Sequence, residues 1–267
     1  MRWFLFQKRQ HPRAKIAKLF WFAPRHIGVG VTLFAALLFS TACSQAEPTN
    51  FFTNGLIAAQ HGDFSAAAAE FQKLAQAQPS CGALVNLGIA EWQRGHAGTA
   101  ILAWERAVWI DPFDVRANQN LKFARSVAQV DAPELRWFEQ ASLCLPPNAW
   151  VWLAGASLWL AVGALVLPRV FRWKTSGGQS MLAALGFCFF LFTLVANYGV
   201  VSRTDLGLVV KKNASLQLTP TRGGEIISTL ADGEAARKIK TRGDFYFIRT
   251  PTAAGWIAHS QFGLIND

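Results

Sequence analysis

The chain alternates between long apolar runs and shorter patterned stretches. Residues 27–43 (IGVGVTLFAALLFSTAC), 149–167 (AWVWLAGASLWLAVGALVL) and 181–201 (MLAALGFCFFLFTLVANYGVV) contain no charged side chain. At 1.5 Å per residue the second and third runs reach about 28 and 31 Å, which matches a hydrocarbon core of about 30 Å, so both are predicted as transmembrane helices. Between the first and second runs, residues 47–128 show helical periodicity broken by Gly62, Pro79, Gly95 and Pro112. This predicts a series of paired helices, ending in one from Val115 to about Val127. Beyond Arg203 the pattern shortens to strands at 208–210, 215–218, 235–239, 245–249 and 255–257. Breaks at Thr221-Arg222-Gly223-Gly224, Asp232-Gly233 and Arg242-Gly243-Asp244 separate them, and five short strands in about sixty residues predict a small closed barrel.

The chain is 52% apolar and 16% charged, a charge fraction below the roughly 25% of soluble domains, which argues against a wholly cytosolic globular enzyme. The formal charge is +10, but seven cations (Arg2, Lys8, Arg9, Arg13, Lys15, Lys18, Arg25) precede the first acid, Glu47. The other 19 Lys and Arg face 16 Asp and Glu, and no basic stripe of the kind that follows phosphates is present, so nucleic acid is not an expected partner. A basic stretch, an apolar core and the small residues at Ser44-Gln45-Ala46 follow the order of a secretory signal over residues 1–46. The alternatives are an uncleaved signal anchor and lipidation at Cys43, because Thr41-Ala42-Cys43 resembles the end of a lipid-attachment box. Cys81, Cys144 and Cys188 match no zinc spacing; a Cys81–Cys144 bridge is allowed by an oxidising compartment and required by nothing.

The loop between the two membrane runs, residues 168–180, carries Arg169, Arg172 and Lys174 and no acid. Short basic loops stay cytoplasmic, which places both flanking domains outside, in agreement with export by the signal. Trp150, Trp152, Trp173 and Tyr198 lie near the ends of the runs, where amphipathic rings favour headgroups. The segment 129–148 holds Leu135, Trp137, Phe138, Leu143 and Leu145, which are expected either at the membrane interface or against the helical domain.

Residues 48–80 and 81–114 repeat at an offset of 33: Gly55 and Gly88, Gly62 and Gly95, Ala67 and Ala100, Phe71 and Trp104, Pro79 and Pro112. Small residues let paired helices approach, the aromatic is expected to fill the space between units, and proline ends the second helix. On these residues the segment resembles the tetratricopeptide repeat family, with residues 115–127 as its capping helix. That resemblance implies a peptide- or protein-binding groove on the first helix of each unit, with candidates Phe52, Leu56, Asn86, Ile89, Gln93 and Asn120. The alternative reading of this stripe is core.

In residues 206–267, Leu216-x-Leu218-x-Pro220, Leu230-x-x-Gly233, Gly243-Asp244-Phe245, Gly255-Trp256-Ile257 and Leu264 are similar to bacterial SH3-type domains. The resemblance implies an SH3-like barrel whose ligand face includes Phe245 and Trp256, and some members of that family bind peptide or cell-wall stems. No nucleophile elbow, phosphate-binding glycine loop or histidine pair at metal spacing occurs, so no enzyme activity and no cofactor are expected.

The order of signal, two-repeat array, transmembrane hairpin and SH3-type domain resembles the BatE-type proteins of bacterial aerotolerance operons. It implies a multidomain inner-membrane protein, all-α in its array and all-β at its C-terminus, with both soluble domains periplasmic. Its role would be a scaffold for protein–protein interaction in envelope or oxidative stress. The partners implied are von Willebrand factor A domain proteins and a MoxR-type ATPase system. The alternative function is a sensor or tether that binds peptidoglycan through the SH3-like domain.

Overall fold

The computed structural model describes residues 49–172 and 177–266; the leader at 1–46 and part of the loop at 168–180 lie outside the described residues. Among the described residues, five helices come first: α1 (Thr49–Gln60), α2 (Phe64–Ala77), α3 (Cys81–Gln93), α4 (Ala97–Ile110) and α5 (Val115–Ala128). Their boundaries follow from local chemistry. Asp63, Ser80 and Asp114 cap α2, α3 and α5 by accepting the N–H of Ala66, Ala83 and Ala117. Gly62 and Gly95 turn the chain between the helices of each pair with φ of 76° and 79°, a region that glycine enters freely.

The repeat has one physical meaning in both units. A Cβ on Gly55 would meet the Phe71 ring, and one on Gly88 would meet the Trp104 ring. Each aromatic therefore lies on the glycine of its own unit and also reaches the next, Trp104 sharing a core with Ala117 and Leu121 of α5. Trp104 also donates from its indole to the Val85 carbonyl at 3.2 Å. Phe71 additionally shares a cluster with Ala90 of the next unit.

A short helix, α6 (Trp137–Ser142), precedes two long ones, α7 (Pro147–Val170) and α8 (Gly177–Arg203). These two are long and apolar enough to cross a membrane, and only 17% and 22% of their most apolar windows are buried. They pack antiparallel through small residues. Ser157, Ala161, Ala183, Gly186, Thr193 and Ala196 are buried, and a Cβ on Gly186 would press on Leu160 and the backbone of Ala161. Asn197 is tied into this seam, donating to the Trp150 and Thr193 carbonyls at 3.2 and 2.8 Å. Leu158, Trp159, Leu165, Phe189 and Leu191 are exposed on the outer surface.

The C-terminal region is an antiparallel sheet of seven strands rather than the five expected. It comprises β1 (Leu206–Val209), β2 (Ala214–Gln217), β3 (Ile226–Leu230), β4 (Ala235–Arg242), β5 (Phe245–Arg249), β6 (Ala254–Ala258) and β7 (Phe262–Leu264), in the order β3-β2-β6-β5-β4-β1-β7. β7 has only three residues and owes its form to pairing with β1. All four β1 residues are buried. Val209 joins the sheet core with Leu216, Ile248 and Ile257, while Leu206 and Leu208 join a core with Ile101, Leu102 and Trp104 of the helical region. The helices and the sheet thus share one apolar core through β1.

Candidate functional site

Glu139, the third residue of α6, is fully buried. Its carboxylate reaches back to accept the Arg136 N–H at 2.8 Å, one half of a capping box. It also accepts the Ser202 hydroxyl, near the end of α8, and pairs with the Arg237 guanidinium of β4 at 2.9 Å. Arg237 in turn donates to the Ser202 carbonyl at 2.8 Å. Beside them, Arg203 donates to the Ser142 hydroxyl at 3.0 Å and lies over the Trp109 ring of α4 at 4.6 Å. The Trp150 indole of α7 closes the cluster by donating to the Ser142 carbonyl at 3.1 Å.

One polar cluster therefore joins the helical region, both long helices and the sheet. Burial pushes the Glu139 carboxyl up, but the Ser202 and Arg136 hydrogen bonds and the Arg237 charge outweigh it and hold the group below the usual carboxylate range. An ion pair taken out of water is tolerated when its remaining lone pairs are satisfied, and here they are. The sequence carried no signal for this cluster, because Glu139 and Arg237 stand far apart in the chain. Trp150 is buried, with its ring 6.1 Å from Phe192. Leu135 packs against the helical core, one of the two readings of segment 129–148, whereas Trp137 is 71% exposed.

A second contact fastens the sheet to α4. Arg106 donates twice to the Leu264 carbonyl, at 2.7 and 3.1 Å. A Cβ on Gly98 would collide with Asp232 and the Val209 carbonyl, one on Gly233 with Ile101, and one on Gly263 with Leu102. Backbone meets backbone at this contact.

The groove candidates occupy the first helix of each pair and the capping helix. Phe52 and Leu56 lie one turn apart on α1, 39% and 38% exposed, with the Phe52 ring 6.2 Å from that of Phe71. Asn86, Ile89 and Gln93 fall on one side of α3, half-buried, exposed and exposed, and Asn120 is half-buried on α5. On the sheet, Trp256 stands opposite Phe247 with ring centroids 5.2 Å apart, and Phe245 stands opposite Ala258. Phe245, Phe247 and Trp256 share one face by strand alternation, so Phe247 belongs with the two candidates and its two-residue spacing from Phe245 was the available signal.

A cleft of about 880 Å³ lies between residues 129–136 and the sheet, with Asp131, Glu134 and Glu234 set among Arg136, Arg237 and Arg249 on its walls. Cys81, Cys144 and Cys188 are free thiols. Burial and the neighbouring Asp114 carboxylate push the Cys81 thiol up to about 11. Among the described residues no group of three or more His, Cys, Asp or Glu side chains is placed to hold a metal ion. No protein-family model, curated protein or solved structure matches the chain.

Proposed function

We propose that the protein is a non-enzymatic inner-membrane scaffold of the BatE type. In this reading α1–α5 form a tetratricopeptide array, α7 and α8 cross the membrane with residues 168–180 in the cytoplasm, and an SH3-like C-terminal domain shares the periplasm with the array. The observation that carries the reading is the double fastening of the sheet: it is fixed to α4 through a shared core and to the ends of α6 and α8 through Glu139. A body locked in this way holds the sides bearing Phe52, Leu56, Asn86, Ile89, Gln93 and Asn120 at a constant position next to the bilayer, which suits a surface that gathers partners. Von Willebrand factor A domain proteins and a MoxR-type ATPase system are the partners proposed.

The test is a photo-crosslinking residue at Ile89 in the full chain in cells, with a second at the exposed Lys122 on α5 as control. Adducts with an A-domain protein at Ile89 and not at Lys122 support the reading; equal labelling at both sites defeats it. Alkaline phosphatase fusions at Asp131 and at the C-terminus are active if both regions are periplasmic.

The paired rings of Phe247 and Trp256 favour a second reading, a peptidoglycan-binding tether, because half-buried aromatics set edge to face on one sheet face offer apolar ring surface to sugars or stem peptides. Cosedimentation of the detergent-solubilised full chain with insoluble peptidoglycan, lost in Trp256→Ala, would favour the tether over the scaffold.

A further inference from the structure

The register of β1 against β4 sets the direction of an exposed cationic hairpin. β1 leaves the end of α8 within three residues, and its pairing runs from Leu206 opposite Arg237 to Leu208 opposite Ala235. As β1 moves away from α8, β4 is therefore met at falling residue number. The Lys238 N–H donates to the Asp205 carbonyl; beyond it Ile239 sits at a shift of register, and 240–242 pair only with β5. They overhang the start of β1 on the side from which α8 arrives, by about 10 Å at 3.3 Å per ladder step.

Residues 239–244 are all exposed. From 235 to 249 the strand pair carries Arg237, Lys238, Lys240, Arg242 and Arg249 against a single acid, Asp244. Arg222, from the β2–β3 connection, stands 3.9 Å from Asp244 and adds a further cation to the tip.

The height of the overhang is fixed by a contact. Arg237 holds the Ser202 carbonyl at 2.8 Å, and Ser202 lies four residues, about 6 Å, beyond Tyr198 along α8. Tyr198, an amphipathic ring expected at headgroup level, is 61% exposed and lines an apolar hollow of about 380 Å³ with Trp137 and Phe138. The reach of the tip beyond Lys238, about 10 Å, exceeds the step of about 6 Å from Ser202 to that level.

We infer that the β4–β5 tip, through Lys240, Arg242 and Arg222, docks on the anionic phospholipid headgroups of the bilayer that α7 and α8 enter, and so pins the sheet against the membrane surface. The inference rests on the reading that these helices span a bilayer. It fits the charge, since cations near an anionic leaflet gain attraction that salt screens within about 8 Å. It also fits the geometry, since the tip cannot leave the bilayer further than the Arg237–Ser202 contact allows.

The full chain, with Cys43, Cys81, Cys144 and Cys188 replaced by Ser, is placed in phosphatidylcholine nanodiscs with or without three-tenths phosphatidylglycerol. A fluorophore at Thr241→Cys reports quenching by a nitroxide on the lipid headgroup. A label at Lys212→Cys, at the far end of β1, is the control, and one at Leu185→Cys, read against an acyl-chain nitroxide, reports insertion of α8. The expected result is quenching at Thr241 at least threefold stronger with phosphatidylglycerol, lost in 0.5 M salt and in Lys240→Glu with Arg242→Glu, and no such change at Lys212.

Quenching at Thr241 that is absent, or indifferent to both lipid charge and charge reversal while Leu185 reports insertion, overturns the docking and leaves the membrane reading standing. No acyl-chain quenching at Leu185 overturns both. A Thr241 label that responds to poly-L-glutamate but not to phosphatidylglycerol assigns the tip to an acidic protein segment and overturns the lipid assignment.

Discussion

The sheet meets the rest of the chain at two contacts built from opposite chemistry. Against α4 the contact is apolar and close, made by three glycines, by Ile101 and Leu102, and by Arg106 on a main-chain carbonyl. Against α6 and α8 it is ionic, one buried carboxylate serving a guanidinium, a hydroxyl and a backbone N–H. The first depends on shape and fails when volume is added. The second depends on charge matching and fails when one partner is removed. Together they fix the sheet to the helices.

The largest effect is expected from breaking the ionic contact on one side. Arg237→Ala leaves a buried carboxylate short of a partner and should cost about 3 kcal/mol of local stability. It would be read as loss of hydrogen-exchange protection in β1, β4 and α6 of the full chain in detergent. The double variant Glu139→Gln with Arg237→Met should cost less than the single one, because no unpaired charge remains; an equal or larger loss would show that the pair acts through packing.

Next comes the close contact. Gly98→Val forces a branched side chain against the Val209 carbonyl and should cost about 2 kcal/mol, seen as faster exchange of the Gly233 amide, which donates to that carbonyl at 2.8 Å. Arg106→Ala should cost about 1 kcal/mol at the same strand, through loss of its hydrogen bonds to the Leu264 carbonyl. If Gly98→Val disturbs α6 as strongly as β1, the two contacts form one cooperative unit and the contrast between them collapses.

The smallest effect near neutrality is that of pH. The Glu139 carboxyl is held below its unfolded value of about 4.3, so it contributes stability at any pH above that value and loses it as pH falls through the folded value. Exchange protection of α6 should stay flat above about pH 5 and fall in acid, and Glu139→Gln should remove that acid response. A response centred near pH 6 to 7 would point to another group.

Much of the helical region was legible from local spacing. Gly55 with Phe71 and Gly88 with Trp104 recur at one offset, and a glycine sixteen residues before an aromatic meets it whenever two helices fold back on a tight turn. On the sheet the aromatic face was half legible: Phe245 and Trp256 stood out, whereas Phe247 gained meaning only when the register set it opposite Trp256. β3 escaped because it buries only its last residue and so shows no apolar alternation, and β7 because three residues take their form from the strand they pair with.

What the sequence determined alone was whatever repeats or accumulates within a few tens of residues: the two long apolar helices, whose length answers the thickness of a bilayer, and the glycine–aromatic pairs, whose period follows the helical turn. The tertiary structure alone decided which side chains separated by 63 or 98 residues would meet. Glu139 found Arg237 and Ser202, and β1 was buried on both faces, because long-range pairing is selected by the summed fit of cores and charges rather than by any local pattern.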